Sequence, residues 1–165
     1  MGAVADRAEV TRALVYKHFA NRDDILTALY QREARALDRE LRRKVAGAPD
    51  GLEPKLRAFI HGVLEAVGTH SELFVPLRPF GQDKTQKREQ RAWDKLTVRF
   101  FTDLAVDELG MEERVARAAL GILLSGLSSL LEQARANRTP AHHLFLEDLF
   151  VEITVNSLHA LARAH

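Results

Sequence analysis

An all-α fold is predicted from three observations. Apolar residues recur at helical spacing along nearly all of the 165 residues. No stretch keeps the apolar/polar alternation of a half-buried strand. Glycine and proline cluster at a few points, notably Gly47-Ala48-Pro49-Asp50-Gly51 and Gly110, that divide the chain into lengths suited to helices.

The elements follow in order. Val4, Ala5 and Ala8 place small apolar groups on one side of a short helix, and Val10 is expected to close a turn onto the same core. Thr11 is an N-cap for a second helix, which leaves Arg12 and Ala13 as its first exposed residues. Val15 and Phe19 point inward, with Tyr16, Lys17 and His18 outside. Asn21 caps a third helix, with Asp24 in a capping-box-like position three residues later. Arg22, at that helix start, is placed to reach a phosphate. The third helix is expected to run to about Val45 with Leu26, Leu29, Leu37 and Leu41 along one side, and to stop at Gly47.

Leu52 to Val67 forms the next amphipathic helix, with Pro54 tolerated in its first turn. Ser71 is expected to cap a short helix confined by Pro76 and Pro79, and the polar run Gly81 to Gln90 is expected to be partly loop. Trp93, Leu96, Phe100, Phe101, Leu104 and Leu109 then recur at helical spacing until Gly110. A helix over Glu112 to Ala136 and a final one from Thr139-Pro140 through Leu161 complete the chain.

Composition narrows the classes. With 24 basic and 23 acidic residues the formal charge is +1, too small to indicate nucleic acid by itself. Locally, Arg7, Arg12, Lys17 and Arg22 recur through the N-terminal segment, whereas Arg39, Arg42, Arg43 and Lys44 read as a solvated helix end. The absence of cysteine removes disulfides and thiol catalysis and fits a reducing cytoplasm. The apolar run Ala118 to Leu131 is interrupted by glycine and serine and is shorter than the ~20 residues that span a bilayer, so no membrane partner is expected.

No glycine pattern of a nucleophile elbow surrounds Ser125, Ser128 or Ser129, and no phosphate-binding glycine loop occurs, so an enzyme is not expected. His61 and His70 are nine apart, and His142 and His143 diverge by about a quarter turn, so neither pair has metal-ligand spacing and no cofactor is expected. Phe59, Phe74, Phe80, Trp93, Phe100 and Phe101, with His61, His70 or Gln90 as polar markers, are candidates for an apolar ligand cavity. Core packing is the competing reading for each aromatic.

The run Ala8-Glu9-Val10-Thr11, then Arg12-Ala13-Leu14, then Val15-Tyr16-Lys17-His18-Phe19 and Arg22, resembles the TetR (tetracycline-repressor-like) family of bacterial transcription regulators. That resemblance implies a helix-turn-helix part followed by a helical ligand-binding and dimerisation domain, over residues 1–46 and 47–165. It implies Thr11, Tyr16, His18 and Arg22 as phosphate contacts, and Arg12, Ala13 and Lys17 as base or groove contacts. Two positions depart from the family pattern. Glu9 replaces the usual turn glycine, which strains the turn if a positive φ is needed, and Leu14 stands where a polar phosphate contact is common. Only Met1, Gly2 and Ala3 precede Val4, so the family's first helix is expected to be missing and DNA binding by this chain to be conditional on it.

The last two helices are apolar nearly all round, which requires cover on both sides. A single-chain core that uses both faces is one reading. The family resemblance implies a four-helix dimer interface instead, with Gly121, Leu124 and Ser125 on one helix and Phe150, Val155 and Leu158 on the other. The function implied is a DNA-binding regulator, a repressor released from operator DNA by a small-molecule effector, acting as a homodimer in the cytoplasm. The alternative is a homodimeric helical module that binds a ligand or protein and has lost DNA binding.

Overall fold

The computed structural model describes the backbone of residues 1–77 and 84–164, and the side chains of residues 1–67 and 95–164. Among the described residues there are eight helices and no strand: α1 Gly2–Arg7, α2 Arg12–His18, α3 Arg22–Gly47, α4 Leu52–Leu77, α5 Lys84–Leu109, α6 Glu113–Ser125, α7 Leu127–Ala136 and α8 Pro140–Ala164. The fold is all-α, as the spacing predicts.

The start signals act as the sequence leads one to expect. Thr11 Oγ1 accepts from Leu14 N at 3.3 Å, and Asn21 Oδ1 accepts from Asp24 N at 2.9 Å. Asp24 in turn accepts from Ala20 N at 2.9 Å, one residue earlier than a capping box, because the backbone at Asn21 is fully extended. Gly51, at φ 120°, makes the turn into α4. The first amide of α4 is capped from a distance: Leu52 N donates to Glu108 Oε2, 2.6 Å away near the end of α5.

α4 is the centre of the molecule and packs against α3, α5, α7 and α8. Its inward residues Leu52, Leu56, Phe59, Ile60, Leu64 and Val67 recur every three or four positions, which is the periodicity of one buried helical face. They meet Phe101 and Ala105 of α5, Leu120 and Leu124 of α6, and Leu146, Val151 and Leu158 of α8. Against α3 the approach is close. A Cβ on Gly62 would come within 2.6 Å of Leu41 Cδ2, so any larger residue there would have to push the Leu41 side chain aside. Lys44 of α3 and Glu65 of α4 pair at 2.7 Å beside it, and that hydrogen bond holds the Glu65 carboxyl below its ordinary range.

Three boundaries differ from expectation. No separate helix begins at Ser71: α4 continues to Leu77, because extending a formed helix by a turn is cheaper than nucleating a new one. The run from Lys84 to Gln90 is helical, whereas Pro79, Phe80 and Gly81 lie outside the described residues. The expected helix over Glu112 to Ala136 divides at Gly126, where the Ser125 hydroxyl turns back to donate to Ile122 O, a contact that bends helices. Taken together, Glu113–Ala136 is 24 residues and apolar enough, by length and composition, to cross a membrane. Its apolar centre, Ala118 to Leu131, is shorter than that. Here Glu113–Ala136 supplies Ala116, Ala119, Leu120, Leu124, Leu130 and Ala134 to the core of a helical bundle.

α4 and α8 are also joined by charge. Glu147, buried on α8, lies 2.8 Å from His61 Nδ1 and 3.6 Å from Arg57. The Arg57 guanidinium also donates to Asp148 and Glu53. The hydrogen bond to Asp148 above all raises its pKa beyond the ordinary value.

Candidate nucleic-acid interface

α1 ends in a turn with a defined hydrogen-bond pattern. Val10 N donates to Ala5 O at 3.1 Å and Glu9 N to Asp6 O at 3.4 Å, the paired bonds of a Schellman motif. That motif needs a left-handed residue at its corner, and Glu9 occupies it at φ 55°. The strain foreseen for a side chain at this point is therefore present. A left-handed L-residue costs about 1–2 kcal/mol, and glycine gives back part of that through its greater freedom in the unfolded chain. Glu9→Gly is expected to raise the melting temperature by roughly 2 °C, a net gain of about 0.5–1 kcal/mol, as read by calorimetry. A lower melting temperature would show that the Glu9 side chain has an unrecognised stabilising role.

The turn aims α2. Ala13, Tyr16, Lys17 and His18 are all exposed, with Tyr16 at 55% accessibility, and Arg22 is exposed at the start of α3. Arg12 is also exposed, but its guanidinium lies over Gly2 at the start of α1 and must swing away to reach a groove. Leu14, the second departure from the family pattern, is exposed and apolar. Inside the unit Ala5 and Val15 are buried and Phe19 is half-buried, whereas Val4, Ala8 and Val10 are exposed. The small core expected around them has formed only in part, because six- and seven-residue helices have little surface to cover each other.

Over residues 1–24 four cations, Arg7, Arg12, Lys17 and Arg22, face four acids, Asp6, Glu9, Asp23 and Asp24. Asp23 and Asp24 sit in the first turn of α3, where the helix dipole favours them. The formal charges of these side chains cancel, so affinity for DNA would rest mainly on local contacts.

A second feature lies where α3, α4 and α5 meet. Leu41, Arg42 and Val45 of α3, Lys55 and Phe59 of α4, and Leu96, Thr97, Phe100 and Phe101 of α5 surround a cavity of about 240 Å³. Phe101 stands edge-on to Phe59 and Phe100, with ring centroids 5.6 and 5.1 Å apart. Of the aromatic candidates, Phe59, Phe100 and Phe101 thus share one cavity. His61 does not line it: its ring is on the side of α4 that faces α8 and is paired with Glu147. Phe74 and Trp93 lie on α4 and α5, but their side chains, like those of His70 and Gln90, lie outside the described residues, as does Phe80 altogether. The charged members, Asp38, Arg42 and Lys55, carry no apolar signal in sequence and became visible only through packing. Among the described residues no group of three or more His, Asp or Glu side chains is placed to hold a metal.

The third feature is the outer face of α6 and α8. Ile122 is 74% exposed, and Phe145, Leu149 and Ile153 form a stripe at four-residue spacing with 57%, 42% and 51% exposure. Gly121 and Ser125 lie on the exposed side of α6, and a Cβ on Gly121 would meet nothing within 4 Å. Phe150 and Val155 are half-buried against the core. Leu124 and Leu158, assigned by sequence to a subunit interface, are instead core residues of this chain. The phase of each helix turns them inward, and neither is available to a partner.

Two short helices joined by a tight turn, with an exposed second helix and a capped third, define a helix-turn-helix DNA-binding unit on an all-helical body. Residues 1–29 match the family model described as bacterial regulatory proteins, tetR family. Residues 1–29 thus carry a region similar to the DNA-binding part of tetR-family transcriptional regulators. No curated protein and no solved structure matched it.

Proposed function

We propose that this chain is a cytoplasmic, homodimeric repressor that leaves its operator when a small molecule enters the α3–α4–α5 cavity. The observation that carries the reading is the continuity of α3. One end of this 26-residue helix follows directly on α2, and the other supplies Asp38, Leu41, Arg42, Val45 and Ala46 to the cavity wall. A ligand that prefers one position of α3 therefore shifts the population of reading-head positions, by as much as its affinity differs between them. The dimer follows from the unpartnered apolar face of α6 and α8, which is larger in reach than scattered surface leucines, and from the two-fold symmetry of palindromic operators.

In this reading Thr11, Tyr16, His18 and Arg22 contact phosphates and Arg12, Ala13 and Lys17 face the groove. Fluorescence anisotropy with DNA from upstream of the protein's own gene tests it across a salt series. Arg22→Gln is expected to weaken binding to all sequences alike and to reduce the salt slope by about one per protomer. Lys17→Ala is expected to erode discrimination between operator and random DNA. Equal binding of operator and random DNA by the wild-type protein would favour a ligand- or protein-binding module instead.

A further inference from the structure

We propose that the α3–α4–α5 cavity takes a small organic carboxylate with an aromatic or short aliphatic body, its carboxylate held by Lys55. The inference rests on reading that cavity as the effector site and adds the chemical class of the effector. Most of the wall is apolar, from Leu41, Val45, Phe59, Leu96, Phe100 and Phe101, and its polar groups are few, the balance expected of a small-molecule site. The space of 240 Å³ corresponds to about eight liquid waters, enough for a ligand of roughly ten heavy atoms.

The charges at the cavity decide the sign of the ligand. Asp38, its one acid, is already engaged: both its oxygens accept from Arg42 Nε, at 3.0 and 2.9 Å. A cationic ligand would have to displace that arginine. Those bonds use only Nε of Arg42, so its terminal nitrogens can face an incoming anion. Lys55 is the better anchor. Its side chain is only 13% exposed, yet its partners are weak: Ala48 O at 3.4 Å and the carboxylate of fully exposed Asp50 at 3.3 Å. An exposed partner of that kind contributes little and exchanges readily with water. A ligand carboxylate approaching from the apolar side meets the ammonium in a drier setting, where charge-assisted hydrogen bonds are strong.

Calorimetric titration of the full chain with phenylpropionate, phenylpropanamide and phenylpropylamine tests the proposal. These three share one body and differ in charge. The acid is expected to bind, with the amide and the amine about ten-fold to a hundred-fold weaker. Lys55→Met is expected to bring the acid down to the level of the amide, and Asp50→Asn, which frees the ammonium, to tighten the acid two- to three-fold. Equal affinity of acid and amide, preference for the amine, no binding of any of the three, or weaker acid binding by Asp50→Asn would overturn it. Release of operator DNA by saturating acid is read separately. Lys55-dependent binding without DNA release would leave the ligand class standing and remove the effector reading.

Discussion

Replacing Ile122 and Ile153 together by glutamate is expected to break the proposed dimer into single chains. Both side chains are more than half exposed in the isolated subunit, so the substitutions cost the monomer fold little, within about 0.5 kcal/mol each. In a two-fold interface each change occurs twice, and every carboxylate moved from water into an apolar contact without a partner costs several kcal/mol. Sedimentation should show the mass of one chain. Operator affinity should fall at least about a hundred-fold, because the second reading head loses its effective concentration. An unchanged dimer mass would place the interface elsewhere. The choice of residues matters: Leu124 and Leu158 are core side chains, so their substitution would unfold the subunit and leave the interface unprobed.

The largest effect on stability is expected from Phe101→Ala. Phe101 is 1% exposed, stands edge-on to Phe59 and Phe100, and joins α5 to α4 at the wall of the cavity. Truncation removes the ring and leaves a hole that adjoins existing empty space, so little can collapse into it. The expected loss is about 3–5 kcal/mol, a large share of an ordinary stability of about 5–15 kcal/mol. Urea unfolding measures it through the midpoint. Phe100→Ala, at a side chain 41% exposed, is the control and should cost far less. Equal losses for the two would mean that Phe100 bears as much of the packing as Phe101 despite its exposure.

Local signals were legible in the sequence because they act within a few residues. Thr11 and Asn21 cap the helices they precede, and Thr139 Oγ1 accepts from His142 N at the start of α8. Glycines punctuate α3, α4 and α5, and the left-handed corner at Glu9 follows from where the turn falls. Signals that depend on distant partners were not legible. Ser71 reads as a cap and lies inside α4. His61 reads as a polar marker of an aromatic cavity and pairs with Glu147, 86 residues away. Arg42 reads as part of a solvated helix end and borders the cavity.

By itself, then, the sequence determined the helical class, the order and most ends of the helices, and the helix-turn-helix segment that residues 1–29 share with the tetR family. These are written in spacing and capping, which depend on the chain's own neighbours. Tertiary structure alone decided which sides of α6 and α8 turn inward, and which aromatics meet around a cavity. A helix that is apolar nearly all round has no polar face to fix its phase. Only its packing against α4 and α5 set that phase, burying Leu124 and Leu158 and leaving Ile122 and Ile153 exposed.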